Sequence, residues 1–293
     1  MVNGELKALN MSRTGKYLEL VKFEHTIFAL PFALASVILL YEQMPSFWRL
    51  FWVLLAFISA RTVGMALNRL IDLPIDRLNP RTSQWVHARG EVSEESIKRL
   101  ILFSGGIFIF STLMINIYAF LLSPIVLFLL WFYPYAKRIT YYPHLVLGAV
   151  YFLIPLAIDV SFNERISFNA IILGIAMAFW VAGFDILYAL QDYEFDKRQG
   201  LKSIPVKFGI EGALLIARFF HTITFFALLG LFLRIEFLGI LYLLGLFGIG
   251  LFLYYEHSLI KPHDLSKINK AFFTVNGYVS VVFLVVVLLD RLI

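Results

Sequence analysis

Read for polarity alone, the chain is a succession of apolar runs, each about twenty residues long, joined by connections that alternate between long and basic and short and nearly uncharged. The runs fall near 24–42, 47–71, 97–115, 117–134, 142–160, 167–192, 211–233, 236–256 and 270–290. A helix needs about 20 apolar residues to cross a hydrocarbon core about 30 Å thick, so each run is long enough to span. None shows the strict alternation of a transmembrane β-strand. The pattern therefore predicts an all-α polytopic membrane protein with nine transmembrane helices in a single bundle. No linker rich in Pro, Gly or Ser divides residues 1–293, so one domain is expected.

Composition sharpens this reading. Hydrophobic residues make up 60% of the 293 and charged residues only 15%, whereas soluble domains are about half apolar. The absence of cysteine excludes disulfides and thiolate chemistry. The segment through Lys22 is polar and lacks the apolar core of a signal peptide, so the first run is expected to act as an uncleaved anchor. A net charge of +5 arises from residues scattered over short loops. No nucleic-acid partner is therefore expected, and no obligate protein partner is predicted.

The lysines and arginines orient the bundle. Lys7, Arg13, Lys16 and Lys22 precede the first run, and Arg77, Arg81, Arg89, Lys98 and Arg99 lie around the second connection. Lys137 and Arg138, then Lys197, Arg198, Lys202 and Lys207, then Lys261, Lys267 and Lys270 follow on the same side. The opposite side carries only Arg49, Arg165, Arg234 and Arg291. By the positive-inside rule the N-terminus and the basic connections are cytoplasmic and the C-terminus is outside, in a prokaryotic-type inner (plasma) membrane.

Two acidic stretches stand out against this background. NRLIDLPIDRLNPRT, from Asn68 to Thr82, spaces Asn68, Asp72 and Asp76 by four residues. DILYALQDYEFDKRQGLKS, from Asp185 to Ser203, places Asp185, Tyr188, Asp192 and Asp196 at offsets that fall on one stripe of a helix. Arg61, Asn68 and Asp72 share a stripe of their own. Leu73-Pro74 should bend or end the first helix, which places Asp76 at the start of the loop. A carboxylate at the membrane centre costs about 2.5–3.5 kcal/mol on insertion scales, so acids in such settings call for partners. The loop from Leu73 to Glu95 is long for a bundle and is expected to cap the site, with Ser93 capping the helix that follows.

Oxygen ligands without clustered histidine or cysteine suit a hard cation, and Mg²⁺ takes one or two carboxylates plus substrate phosphates. Zinc is disfavoured because the six histidines are scattered. Two facing acidic stripes fit Mg²⁺ bound to a diphosphate, and Arg81, Lys137, Arg138 and Lys202 could hold phosphate oxygens. An apolar bundle beside such a site points to a polyprenyl diphosphate. Tyr188 could face an allylic cation.

The paired motifs and the nine-run layout resemble those of the UbiA-type intramembrane aromatic prenyltransferases. KFEHTIFALPFA from Lys22, NPRT from Asn79, YPYAKR from Tyr133 and GLKSIP from Gly200 resemble the branch that includes 4-hydroxybenzoate polyprenyltransferases. The resemblance implies that Asn68, Asp72, Asp76, Asp192 and Asp196 bind the Mg²⁺–diphosphate and that Arg81, Lys137 and Lys202 hold phosphate. It also implies that Asp185 and Tyr188 lie near the reacting carbons and that Arg61 receives an acceptor carboxylate. Where many relatives have an arginine four residues after Arg81 and a proline before the next Arg-Gly, this chain has Trp85 and Ala88. Arg89 is the candidate substitute.

The implied activity is Mg²⁺-dependent transfer of a polyprenyl group to a ring carbon of an aromatic acid, with Asp72, Asp192, Asp185 and Tyr188 as the catalytic set. The acceptor is 4-hydroxybenzoate, as in ubiquinone biosynthesis, or a hydroxynaphthoate, as in menaquinone biosynthesis. Intramembrane acids also serve ion-coupled transporters, but here they crowd one face and no inverted repeat is evident. A non-catalytic lipid-binding scaffold would need no metal motifs.

Overall fold

The computed structural model describes residues 12–22 and 26–293. Lys7 of the charge pattern, and residues 23–25 of the first run and of the Lys22 string, lie outside the described residues. A short helix α1 (Arg13–Leu20) leads into α2 (Thr26–Leu40), α3 (Phe47–Leu78), α4 (Glu94–Ile115), α5 (Ile117–Ile139), α6 (Pro143–Asn163) and α7 (Phe168–Ala189). A 3₁₀ turn over Leu190–Asp192 joins α7 to α8 (Tyr193–Gln199), and α9 (Ile204–Phe232), α10 (Ile240–Leu259) and α11 (Asn276–Leu292) complete the bundle.

Caps punctuate the chain where the apolar runs begin. The side chains of Ser46, Ser93, Asn116, Ser167 and Ser203 each accept a backbone N–H from the first turn of the helix that follows. Pairwise packing runs α3 on α4, α4 on α5, α5 on α6, α6 on α7, α7 on α9, α9 on α10 and α10 on α11. Helix α2 packs on α11, α6 and α7. Around Trp180 the core is aromatic, with Phe32 stacked 4.6 Å from both Trp180 and Phe283. Leu102, Phe103, Phe128, Leu215, Phe226, Phe247 and many others are exposed on the outer surface. An apolar exterior of this extent belongs in lipid.

Among the described residues eight helices are long and apolar enough to cross a membrane, and the described part of the expected first span forms the apolar helix α2, 15 residues long.

Helix α3 also runs further than Leu73-Pro74 suggests: it continues to Leu78 and keeps Asp76 inside it, buried. A proline loosens the carbonyls one turn before it, and within a bundle other donors can take them up. Here Arg138 donates Nη2 to the carbonyl of Ile71 at 3.0 Å. The second acidic stripe departs in the opposite sense, because the 3₁₀ turn interrupts it between Tyr188 and Asp192.

Helices α6 and α7 approach closely at Gly148. A Cβ added at Gly148 would stand 2.8 Å from the Ala178 carbonyl oxygen and 3.5 Å from the Ala182 Cβ. One turn before Gly148 is His144, and one turn after Ala182 is Asp185, so this contact sets the distance between those two side chains. Gly148→Leu is expected to destabilise the bundle by about 1–3 kcal/mol through overpacking. Thermal unfolding in detergent checks this, and an unchanged melting temperature would contradict it.

Candidate active site

A cavity of about 620 Å³ lies among α2, α3, α5, α6 and α7. Along α3 its lining extends from Leu50 to Asp76, a rise of about 39 Å at 1.5 Å per residue. Over most of that length the wall is apolar, with Leu50, Val53, Phe57, Leu130, Ile154 and Ile158 among its residues. At the end near the C-terminus of α3 it becomes densely charged. Asn68, Asp72, Asp76, Arg81, Lys137, Asp185, Tyr188, Asp192, Asp196 and Lys202 all line this one space, as does Arg61 deeper in.

Both acidic motifs are held by cations. Asp72 is almost fully buried and accepts from Lys137 Nζ at 2.7 Å, Arg138 Nη1 at 3.0 Å and Asn68 Nδ2 at 3.3 Å. Lys137 and Arg138 reach it from the last turn of α5, where the helix dipole favours positive charge. Asp192 accepts a two-pronged contact from Arg81, Nε to Oδ1 at 2.9 Å and Nη2 to Oδ2 at 2.5 Å, the geometry in which guanidinium and carboxylate pair best. Asn79 Nδ2 adds a third bond at 2.9 Å. Arg81 stands in the Asn79–Ser93 connection yet pairs with a residue beyond α7, so this connection joins the two motifs. Burial opposes its charge, but the bonds and charge of Asp192 hold its pKa above the usual arginine value.

The remaining members are placed as follows. Asp76 meets the Nε2 of His87 at 2.8 Å. Asp185 meets the Nδ1 of His144 at 2.6 Å. The Tyr188 hydroxyl accepts from Arg81 Nη1 at 3.1 Å, and its ring lies 5.2 Å from that guanidinium. Arg61 donates to the Lys22 carbonyl at 3.1 Å and is hydrogen-bonded to Tyr151. Lys202 donates its Nζ to the Ile139 carbonyl at 3.1 Å while lining the cavity.

Two expected binding residues do not line this space: Arg89 pairs with Glu91 at 2.6 Å, and Arg138 is taken up by Asp72 and the carbonyls of Pro134 and Ile71. Trp85 gathers three cations over its ring: Arg69 at 4.2 Å, Lys22 at 5.2 Å and Arg81 at 5.3 Å. Sequence reasoning noted Trp85 only as a departure. It missed His87, His144 and Tyr151, because a search for zinc-like spacing passes over single histidines whose partners lie on other helices.

The donor set suits Mg²⁺ in kind, since it offers carboxylate and amide oxygens. Among the described residues no three acidic or histidine side chains converge on one point. The arrangement therefore fits an ion that takes one or two carboxylates and completes its shell with phosphate oxygens and water. Arg81 and Lys137, which pair with Asp192 and Asp72, are the cations in the cavity wall that such phosphates would meet.

Comparison with known proteins agrees with this geometry. Residues 29–278 match the UbiA prenyltransferase family. The chain is 31% identical over 271 residues to the 4-hydroxybenzoate octaprenyltransferase of Pasteurella multocida, covering 91% of this chain and 92% of that one. It is 32% identical over 244 residues to the enzyme of that name from Pseudoalteromonas translucida, covering 83% and 82%. Among solved structures, the apo form of a UbiA homologue from Aeropyrum pernix superposes with a TM-score of 0.82 at 30% identity, over 91% of this chain and 98% of that one. A UbiA homologue from Archaeoglobus fulgidus, bound to GPP and Mg²⁺, shares the fold with a TM-score of 0.74 at 23% identity, over 95% and 100%. With two acidic motifs meeting at the mouth of an apolar cavity, and a match that spans most of its length, this chain is an integral membrane enzyme of the UbiA prenyltransferase family.

Proposed function

We propose that the protein transfers a polyprenyl group from a polyprenyl diphosphate to a ring carbon of 4-hydroxybenzoate. The observation that carries this reading is the continuity of one cavity, from a charged end holding both acidic motifs to an apolar wall of membrane-spanning length. A prenyl chain matches the apolar part and a diphosphate matches the charged end. The acceptor is taken from the activity named for the curated relatives and from Arg61, which offers a guanidinium to a carboxylate inside the same cavity.

In this scheme Asn68, Asp72, Asp76, Asp192 and Asp196 hold Mg²⁺ against the diphosphate, and Arg81, Lys137 and Lys202 bind phosphate oxygens directly. When bound, the metal supplies Lewis-acid stabilisation of the departing diphosphate. Tyr188 presents its ring to the positive charge that develops on the allylic carbon, and the apolar wall keeps water away. The Asn79–Ser93 connection closes the charged end through Arg81 and Asn79. The charged end faces the cytoplasm of a prokaryotic-type inner membrane, following the distribution of basic residues.

The test is incubation of the purified protein with Mg²⁺, a polyprenyl diphosphate and a panel of aromatic acids, with products identified by mass. A prenylated 4-hydroxybenzoate is expected, and a product from a hydroxynaphthoate alone would reassign the acceptor. Arg61→Ala should raise KM for the aromatic acid about tenfold or more and leave KM for the prenyl donor within about twofold, since it removes binding to one substrate only. The reverse pattern would refute its role.

A further inference from the structure

We propose that His144 takes the proton of the acceptor's para-hydroxyl, with Asp185 holding the imidazole ready; the inference rests on the prenyl-transfer reading above. His144 begins α6 and is almost fully buried, yet it lines the cavity. Its Nδ1 lies 2.6 Å from Asp185 Oδ2. An ionised carboxylate only accepts hydrogen bonds, so this contact places the imidazole proton on Nδ1 and leaves the Nε2 lone pair available. Nε2 is buried and has no hydrogen-bond partner in the protein. Buried polar atoms are nearly always paired, and this one belongs to a residue that lines the cavity, so the proposal assigns the acceptor hydroxyl as its missing partner.

Position along α6 identifies the ligand group. Tyr151, hydrogen-bonded to Arg61, follows His144 by two helical turns on the same face, and both residues line the cavity. At 1.5 Å per residue that offset is about 10.5 Å. A para-hydroxybenzoate with its carboxylate at Arg61 and Tyr151 would, with a hydrogen bond at its far end, bring its hydroxyl to His144. Tyr133 and Asp185 also line the cavity and lie within electrostatic reach of Tyr151, and Asp72 and Arg69 lie within reach of Tyr133.

The step balances as follows. The phenol O–H bond breaks, its electron pair stays on oxygen and the proton passes to Nε2. The ortho ring carbon then bonds to the allylic carbon as the allylic C–O bond breaks, and that electron pair leaves with the diphosphate. The resulting dienone loses its ring proton to a diphosphate oxygen and recovers a proton on its own oxygen from His144. The ring becomes aromatic again and the imidazole neutral.

The test compares wild type with His144→Gln on two acceptors, 4-hydroxybenzoate and a ring-fluorinated analogue whose hydroxyl is more acidic. General-base contributions run to about 10²-fold or more. Thus kcat/KM should fall about 10²-fold for 4-hydroxybenzoate and by less than about tenfold for the fluorinated acid, which needs less help to ionise. KM for the prenyl diphosphate should stay within about twofold of wild type, which also shows that the variant is folded. Added imidazole should partly restore His144→Ala. Equal losses on both acceptors without imidazole rescue would reduce His144 to a packing role and overturn the proposal, as would wild-type activity in both variants. If wild type itself prenylates no aromatic acid, the functional reading has failed and this inference falls with it.

Discussion

Asp192→Asn is expected to reduce prenyl transfer by about 10³-fold or more while the protein still inserts and folds. Losing one preorganised group that stabilises charge in a transition state costs about 10²–10³ in rate, and a carboxylate that also holds a metal contributes further. Asparagine is the informative replacement because its side-chain oxygen can still accept from Arg81 and Asn79. Asparagine removes the charge but keeps one acceptor, whereas alanine would leave both the Arg81 guanidinium and the Asn79 amide with no acceptor at all, mixing a larger folding defect into the result. Product mass spectrometry paired with thermal unfolding separates the two effects. Turnover within about tenfold of wild type would remove Asp192 from the diphosphate site.

Metal removal should have an effect of similar size. With a chelator in excess, turnover is expected to fall below about one part in 10³, and added Mg²⁺ should restore it, because departure of the diphosphate needs its charge neutralised. The melting temperature should hardly move on chelation, because Asp72 and Asp192 have protein partners of their own in Lys137, Arg138 and Arg81. Zinc-dependent proteins behave differently, since metal binding can supply their folding free energy. Turnover that persists under chelation would mean that the basic residues alone discharge the leaving group.

The sequence carried the site further than the backbone around it. Spacings of four between Asn68, Asp72 and Asp76 are visible in one dimension because a helix repeats them on one face, and all three do line the cavity. The same local rule misplaced Asp76. Proline disfavours helix continuation, but beside the Leu70 carbonyl that Pro74 leaves without its N–H, Arg138, a residue 67 positions from Ile71, donates to the Ile71 carbonyl and ties this turn to α5. The opposite error arose at Leu190–Asp192, where a 3₁₀ turn breaks a stripe that would be regular in an uninterrupted α-helix. Neither outcome has a local sequence signal, because each depends on what packs or bonds from elsewhere.

Two further features were hidden for the same reason. His144 gains its meaning from Asp185, 41 residues away, across the close α6–α7 contact at Gly148. Trp85 read as the loss of a phosphate-binding arginine, yet it supplies a face on which Arg69, Lys22 and Arg81 gather.

The central claim is that the two acidic motifs share one metal-bound diphosphate. Its most direct test is a structure determined with Mn²⁺ and a non-hydrolysable prenyl thiodiphosphate, using anomalous scattering to locate the metal. The account predicts manganese and phosphorus between the Asn68–Asp76 segment and Asp192–Asp196, the prenyl chain along the Leu50–Ile158 wall, and Arg81 and Lys137 moved from carboxylates onto phosphate oxygens. A diphosphate bound by one motif alone, with the other still closed by its arginine or lysine, would contradict it.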